Sequence, residues 1–345
     1  MGLLIHRLRH STRVNSSRKQ SEAIVQDSKS AGRGKKKMKR KSIDAQNAIY
    51  DENMVYQQRT LFQETWLRFK RSRVAMFGLY FLIILVIISI VTIILDVATN
   101  RAIYKQFVIE QDLVNRLKAP GNGHVFGMDE FGRDILMRLL WGARYSLFMS
   151  LLSITFALIV GGALGAIAGF YGGKTDNIIM RCMDILLSMP PMLLALTVVA
   201  ALGTATINVV IAVGISFVPS FARVLRASVL QVKEKEYIEA AKAVGANDFE
   251  VITKFVIPNS LAPIIVQGTL GVANAILTIA SLSFVGLGVQ APIPEWGQML
   301  SSARSYMREA WHITVIPGIA IMLTILSLNL MGDGLRDAMD PKLKN

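Results

Sequence analysis

Long runs of apolar residues with almost no charge constrain this chain more than any other feature. Residues 74–95 read VAMFGLYFLIILVIISIVTIIL, and residues 145–171 are likewise free of charge. About 20 mostly apolar residues cross the hydrocarbon layer of a bilayer as a helix, which satisfies its own backbone polar groups there. The runs predict six spans, at residues 74–95, 145–171, 183–202, 207–225, 261–289 and 313–331.

The composition and the placement of charge agree with a membrane protein. Only 18% of the 345 residues are charged, against about 25% in a typical soluble domain. Up to Arg73 there are 18 Lys and Arg against 6 Asp and Glu, so most of the net charge of +14 precedes the first span. Such a basic flank predicts a cytoplasmic N-terminus lying close to anionic lipid. Nucleic-acid binding is disfavoured, because no aromatic residues interleave with the basic run GRGKKKMKRK.

The side of each polar segment follows from counting spans from a cytoplasmic N-terminus. The segment 96–144 is predicted to be an extracytoplasmic loop, whereas 226–260 lies in the cytoplasm. The full division is a basic disordered tail at 1–60, an amphipathic lead-in with the first span at 61–95, the loop 96–144, a core at 145–332 and a cytoplasmic tail at 333–345.

The residues that enzymes and metal sites use are sparse. Cys182 is the only cysteine, and the four histidines are scattered, so neither a disulfide nor a metal cluster is expected. The segment GFYGGKT at 169–175 lacks the first glycine of a phosphate-binding loop, since Ala168 stands there. We therefore predict no catalytic residue, no metal and no cofactor in this chain.

One polar stretch, EYIEAAKAVGANDFEVITKFVIPNS at 236–260, stands between two predicted spans. Its first part has the composition of a helix that Gly245 can end in a left-handed conformation. Asn247 and Glu250 then fit a capping box at the start of a second helix, which Pro258 is expected to stop. The pattern predicts a helix, a glycine bend and a helix; a solvated hairpin that merely joins two spans is the alternative.

This stretch resembles the cytoplasmic EAA loop of permease subunits in binding-protein-dependent ABC importers. That loop has E-A-A, three residues, a glycine, nine residues and then I-x-L-P; Phe255 and Ile257 replace the usual isoleucine and leucine here. The resemblance implies a coupling helix that docks into a groove of an ATPase subunit. The residues assigned to this coupling are Glu239, Ala240, Ala241, Gly245, Asn247 and Pro258.

The resemblance extends over about residues 60–345. FGMDEFGRDILMRLLWGARYSL (126–147), MDILLSMPPMLLAL (183–196), residues 261–300 and LNLMGDGLRDAMDPKLK (328–344) are similar to the second permease of dipeptide and oligopeptide importers. This implies an all-α integral membrane protein of six transmembrane helices, with a type I ABC importer permease core (MetI-like) preceded by one N-terminal span. Its implied place is the bacterial cytoplasmic membrane, with both termini in the cytoplasm.

The same resemblance implies partners and a cargo. The partners are a homologous second permease, two ATPase subunits that bind ATP and Mg²⁺, and an extracytoplasmic solute-binding protein. Short peptides are the expected substrate, with nickel or glutathione as alternatives within the family. A secondary transporter that needs no ATP is the alternative from another class, although intramembrane charges and matching broken helices are not evident.

Three further groups of residues are weaker candidates, each with a purely structural alternative. A hinge or pathway role is assigned to Pro190, Pro191, Gly286 and Gly288, which close helix packing would also explain. Extracytoplasmic contact is assigned to Asp129, Arg133, Asp134, Glu295 and Trp296; loop packing through an Arg133 ion pair, and interfacial anchoring of Trp296 and Trp311, are the alternatives. A cytoplasmic clamp to the polar stretch or to the ATPase is assigned to Asp333, Arg336 and Asp337, with half-exposed structural pairing as the alternative.

Overall fold

The computed structural model describes residues 61–121 and 123–339, and every named element in these ranges is helical. The chain divides into two units at Glu64, and residues 61–64 are the only described part of the first. The predicted disordered tail at 1–60 and the last six residues lie outside the described part of the chain.

The helices follow one another with short connections. The α-helices are α1 Leu61–Arg71, α2 Arg73–Ala98, α3 Ile135–Tyr171, α4 Gly173–Leu187, α5 Pro191–Leu202, α6 Thr206–Lys233, α7 Glu236–Ala243, α8 Asp248–Glu250, α9 Ile257–Asn259, α10 Leu261–Phe284, α11 Trp296–Ala303 and α12 His312–Met339. Tyr104–Ile109 and Val251–Val256 are π-helical, and Leu113–Asn115 and Arg304–Tyr306 are 3₁₀ turns.

Five of these helices, α2, α3, α6, α10 and α12, are long and apolar enough to cross a membrane. The pair α4 and α5, which is bent by 89° between Leu187 and Pro191, is the sixth span only if the two helices count as one broken span; a re-entrant loop has the same geometry. The predicted third span at 183–202 is therefore not one straight helix. The bend falls at Pro190 and Pro191, because proline has no backbone N–H to continue the α-helical hydrogen bonds but fits the first position of a new helix.

Helix α3 begins at Ile135, earlier than the span predicted from residue 145, and it has 37 residues. At 1.5 Å per residue it is about 55 Å long, well beyond the roughly 30 Å hydrocarbon thickness. The Asp134 side chain starts the helix by accepting a hydrogen bond of 2.9 Å from the backbone N–H of Met137. The helix is therefore longer than a crossing of the hydrocarbon layer requires.

Glycines allow α3 and α6 to pack backbone against backbone. A Cβ atom added at Gly161 or Gly165 would collide with the carbonyl oxygens of Val218 and Ala222 on α6. One turn further, a Cβ at Gly169 would lie 3.0 Å from the carbonyl oxygen of Arg226. The small residues of the GGALGAIAG segment thus allow the two helix backbones to approach closely.

The first span, α2, packs against the last, α12. A Cβ atom at Gly78 would lie 2.5 Å from the carbonyl oxygen of Ser327, and one at Gly334 would collide with Ala75. Phe69 of α1 is buried with Ala75 and Ala338. The N-terminal span is thus attached to the core through small residues on both helices.

Candidate functional site

The polar stretch between α6 and α10 folds into a compact unit, which we call the elbow and define as residues 236–259. Its first helix, α7, carries Glu236 and Glu239 in the first turn and Lys242 in the last. Acids at the start of a helix and bases at its end complement the helix dipole. The sequence thus stabilises even this short helix.

Gly245 ends α7 with a φ angle of +96°, the left-handed conformation expected from the sequence. Its N–H donates to the carbonyl oxygen of Lys242, and the N–H of Ala246 donates to that of Ala241, each at 3.0 Å. This pair of bonds is a Schellman motif, which satisfies the last carbonyls of the helix. No heavy atom lies within 4 Å of a Cβ built on Gly245, so backbone conformation alone favours glycine here.

The predicted capping box opens the second half of the elbow. The Asn247 side chain accepts a hydrogen bond of 2.9 Å from the N–H of Glu250, whose carboxylate accepts one of 3.4 Å from the N–H of Asn247. Lys254 Nζ lies 3.1 Å from the same carboxylate. The Lys254 bond, followed by that from the Asn247 N–H, lowers the pKa of Glu250.

Pro258 lies within the final turn, and the helix ends one residue later, at Asn259, rather than at Pro258 itself. The preceding residues 251–256 form a π-helical turn. Proline donates no hydrogen bond and its ring crowds the carbonyl four residues earlier, which accounts for the widened turn. Pro258 therefore shapes the return of the chain into α10.

One face of the elbow is buried against the ends of the membrane helices. Ile238, Val251 and Val256 are buried together with Phe170 of α3 and Val229 of α6. The Lys242 ammonium also lies 4.9 Å from the centre of the Phe170 ring. The elbow is thus packed onto the helical bundle.

Ion pairs and hydrogen bonds join the ends of the helices on which the elbow packs. Arg226 of α6 binds Asp176 of α4 in a bidentate pair, with distances of 2.5 and 2.6 Å. Lys233 Nζ lies 3.1 Å from the carbonyl oxygen of Gly169, near the end of α3. The ends of α3, α4 and α6 are therefore tied to one another where the elbow rests.

The opposite face of the elbow is exposed and partly apolar. Glu239 and Ala240 are exposed, and Val244 and Phe249 are 90% and 75% exposed. Sequence reasoning missed Val244 and Phe249; two large apolar residues on either side of a glycine bend were the available signal. The surface offers the Glu239 carboxylate, small alanines and an apolar tip, which suits docking rather than catalysis.

The proposed hinge residues lie at two breaks in the helices. Pro190 and Pro191 stand at the 89° bend between α4 and α5. Gly286, with φ of +89°, follows α10, and a Cβ at Gly288 would collide with Ser283. These residues therefore lie where helices end or bend, and their movement stays a prediction.

The residues assigned to extracytoplasmic contact lie in two loops, 104–134 and 285–311, that meet at the N-terminal end of α3. Arg133 Nε pairs with Asp129 at 2.7 Å, and its guanidinium also lies 3.3 Å from Glu130. Asp134 accepts from Met137 and lies 2.8 Å from His124. We call these two loops the cap.

Burial argues against most of these cap residues touching a partner directly. Asp129, Arg133, Glu295 and Trp296 are each at most 5% exposed. Trp296 donates its ring N–H to the carbonyl oxygen of Leu139 at 3.0 Å, so it packs inside the protein and does not anchor at the lipid interface. Trp311, in contrast, is exposed.

Glu295 caps the short helix α11 from within the protein. Its carboxylate accepts hydrogen bonds of 2.9 and 2.8 Å from the N–H groups of Gly297 and Gln298. Burial raises the pKa of Glu295, and these hydrogen bonds act in the opposite direction. Its role in the described structure is to start α11.

Arg138 joins the parts of the cap, and sequence reasoning missed it. Its guanidinium, 1% exposed, donates to the carbonyl oxygens of Val108 at 2.9 Å and Pro292 at 3.5 Å, and lies 3.3 Å from Asp129. These groups come from three separate stretches of the chain. Only the folded structure brings them together.

The proposed clamp residues Asp333, Arg336 and Asp337 lie on the last turns of α12 and are exposed. No ion pair joins them to the elbow within residues 61–121 and 123–339. A clamp to the elbow therefore has no support in the isolated chain, and a contact with another subunit stays a prediction. Over the same residues no cluster of three metal-binding side chains occurs.

Comparison with protein families gives two matches along the chain. The sequence profile described as "Binding-protein-dependent transport system inner membrane component" matches residues 161–345. Residues 60–120 match the "N-terminal TM domain of oligopeptide transport permease C".

Individual relatives match nearly the whole length. A dipeptide transport system permease protein DppC from Alkalihalophilus pseudofirmus is 44% identical, over 82% of this chain and 91% of the relative. A glutathione transport system permease protein GsiD from Pectobacterium atrosepticum is 42% identical, over 83% and 93%. A crystal form of the inward-facing MetNI methionine ABC transporter has a chain of similar fold, with a TM-score of 0.50 at 18% identity, over 60% of this chain and 98% of that one.

Proposed function

Because this chain belongs to the family of binding-protein-dependent transport system inner membrane components, we propose that its elbow couples a membrane pathway to separate ATPase subunits. It is a permease subunit of an ABC importer and not an enzyme. The family implies no cofactor in this chain. ATP and Mg²⁺ would bind to the ATPase partners.

The exposed apolar tip of the elbow is the observation that carries this proposal. Phe249 and Val244 stand in solvent in the isolated chain, on a unit whose other face is fixed by buried Ile238 and Val251. Large apolar residues presented on a rigid element are typical anchors of protein interfaces. The Glu239 carboxylate, next to the small side chain of Ala240, would orient the partner.

The packing of the elbow gives a route for movement into the membrane. Its buried face contacts the ends of α3 and α6, and its second half continues directly into α10 at Leu261. A displacement imposed on the elbow by ATPase closure would therefore be shared by these three spans. ATP binding would favour one of two arrangements of the bundle through such differential contacts.

The multi-pass chain would lie in a bacterial cytoplasmic membrane, with both termini and the elbow in the cytoplasm. The excess of Lys and Arg before the first span supports this orientation. A homologous second permease would supply the other half of the pathway. A solute-binding protein would meet the cap, where Val114, Met307 and Trp311 are exposed.

Short peptides are the substrate class we propose for the pathway. Relatives named as dipeptide or di/tripeptide permeases include ones that are 44% and 41% identical to this chain. The glutathione permease relative makes glutathione, itself a small peptide, the second candidate. The names of these relatives do not support nickel as the substrate. Membership of an ABC importer family argues against a transporter that works without ATP.

Replacing the tip aromatic tests the coupling role. We expect Phe249→Ser to reduce ATP-driven uptake of a labelled dipeptide at least tenfold in proteoliposomes containing the assembled importer, because a buried aromatic anchor typically contributes 2 kcal/mol or more to an interface. The ATPase subunits that co-purify with the permease should fall in parallel. Competition with unlabelled glutathione and with Ni²⁺ in the same assay ranks the substrates.

Phe107→Ser is the matched control, because Phe107 is also an exposed phenylalanine but lies far along the chain, in the cap. It should leave the amount of co-purified ATPase subunits unchanged. Normal uptake by Phe249→Ser, with ATPase subunits still attached, would refute the docking role of the tip.

A further inference from the structure

A cleft of about 770 Å³ opens between α2, α3 and the start of α6, away from the elbow. Its apolar wall includes Ile93, Val97, Phe148, Leu152 and Ile207, all exposed. Its polar end contains Asp96, Asn100, Arg101, Arg144 and Tyr145. The cleft is therefore amphiphilic, with its polar and apolar parts segregated.

Helix geometry sets the depth of the two parts in the membrane. From Arg73, where α2 begins, about 20 residues at 1.5 Å each cross the hydrocarbon layer. Ile93 therefore lies at the far boundary of the hydrocarbon, and Asn100 and Arg101 lie among the headgroups. At that depth the apolar wall formed by Phe148 and Leu152 would face the acyl chains.

The charges of the cleft leave one cation available. Arg144 is paired with Asp96 at 2.7 Å, and the Trp141 ring N–H donates to the same carboxylate at 2.9 Å. Arg101 is exposed and forms no ion pair within residues 61–121 and 123–339. Its backbone is held at φ of +62° by a hydrogen bond of 2.8 Å from its N–H to the carbonyl oxygen of Asp96. The cleft thus carries a net charge of +1 at a fixed position.

We propose that this cleft binds one anionic phospholipid. The phosphate would accept hydrogen bonds from Arg101 and the Asn100 amide, and an acyl chain would run along Phe148, Leu152 and Ile207. An anionic headgroup matches the uncompensated cation, and an acyl chain matches the apolar wall below it. A helix of a partner subunit over this cleft would have to bring its own counter-charge for Arg101. The proposed orientation places this lipid in the outer leaflet; the binding itself does not depend on it.

Native mass spectrometry of the full chain in mild detergent tests the site. With phosphatidylglycerol as the probe, we expect one tightly retained molecule per chain and little retention of phosphatidylcholine. Arg101→Gln should lower phosphatidylglycerol retention about fivefold, the usual effect of one basic residue at a lipid surface. Arg116→Gln, which removes an exposed arginine of the cap outside the cleft, should change nothing. Ile207→Trp should also lower retention by filling the apolar part.

Equal retention by wild type and Arg101→Gln would overturn the proposal. Displacement of the lipid by millimolar inorganic phosphate would also overturn it, because it would indicate a site for any small anion.

A further experiment uses the assembled importer, with Val97→Cys in a Cys182→Ala background, because Cys182 is exposed. Crosslinking of that cysteine to the second permease would assign the cleft to a subunit interface and refute lipid binding; a failure of Phe249→Ser to affect uptake would leave the lipid site untouched.

Discussion

Gly245 and Phe249 show how single residues give the elbow its shape and its surface. Gly245 adopts φ of +96° with open space around it, so the restriction there is conformational and not steric. Phe249 differs from Gly245 because its backbone conformation is ordinary, whereas the exposure of its large apolar ring is unusual. One residue sets the direction of the chain, and the other sets what the bend presents to a partner.

Substitutions at Gly245 should separate backbone conformation from side-chain size. A β-branched residue in the left-handed region costs about 1–2 kcal/mol or more, whereas asparagine tolerates it. We expect Gly245→Val to raise hydrogen exchange of the Ala246 amide, which is bonded to Ala241, about tenfold. Gly245→Asn is the control and should stay close to wild type. Equal exchange in the two variants would show that the left-handed turn contributes nothing to the elbow.

Helix ends, more than helix centres, decide the form of the elements that matter here. The capping box of Asn247 and Glu250 begins the second half of the elbow, and Pro258 widens its last turns. Pro190 and Pro191 divide another predicted span into two helices at 89°. In each case a few polar residues or prolines fix a helix boundary that the surrounding apolar pattern does not define.

The capping box should weaken on acidification. The pKa of Glu250 is lowered in the folded chain, mainly by Lys254, so its stabilising contribution is present above the ordinary carboxyl pKa and is lost as pH falls through the folded value. We expect the protection factor of the Val251 amide, bonded to the Asn247 carbonyl, to fall between neutral pH and about pH 3.

Glu250→Gln provides the control for that titration, because it removes the charge and keeps a side chain of the same length. Its protection should be lower at neutral pH and independent of acidification over that range. A wild-type protection factor that also stays constant would contradict the assigned role of the carboxylate.

A single helix connects the two ends of the molecule. α3 contacts the cap through Arg138 near its start and the elbow through Phe170 near its end, about 50 Å apart at 1.5 Å per residue. Its glycines pack closely on the backbone of α6. A movement imposed on the elbow would therefore reach the cap through continuous helix, without an intervening loop.

Cysteine labelling tests the orientation on which the proposed function depends. Val125 in the cap and Val244 in the elbow are both highly exposed valines, which makes them a matched pair. In intact cells with Cys182→Ala, we expect a membrane-impermeant maleimide to label Val125→Cys, and to label Val244→Cys only after permeabilisation. Labelling of Val244→Cys in intact cells would place the elbow outside and rule out contact with cytoplasmic ATPases.

The local sequence was sufficient to locate the apolar spans and to predict the elbow, but not the 89° bend in the third span or the early start of α3 at Ile135. Apolar runs, glycine spacing, the Schellman glycine and the capping box each depend on residues within a few turns of one another, so the chain near Gly165, Gly245 and Asn247 already specifies them. The family resemblance rests on the same local patterns.

Burial and long-range partners required the folded chain. The sequence around Trp296 suggests an aromatic at the membrane interface, but its ring N–H donates to the carbonyl oxygen of Leu139 inside the protein. Arg138 contacts Val108, Asp129 and Pro292, which come from separate segments of the chain. Whether a side chain faces lipid, a partner or the interior depends on which distant segment packs over it, and no local pattern of charge or hydrophobicity encodes that neighbour.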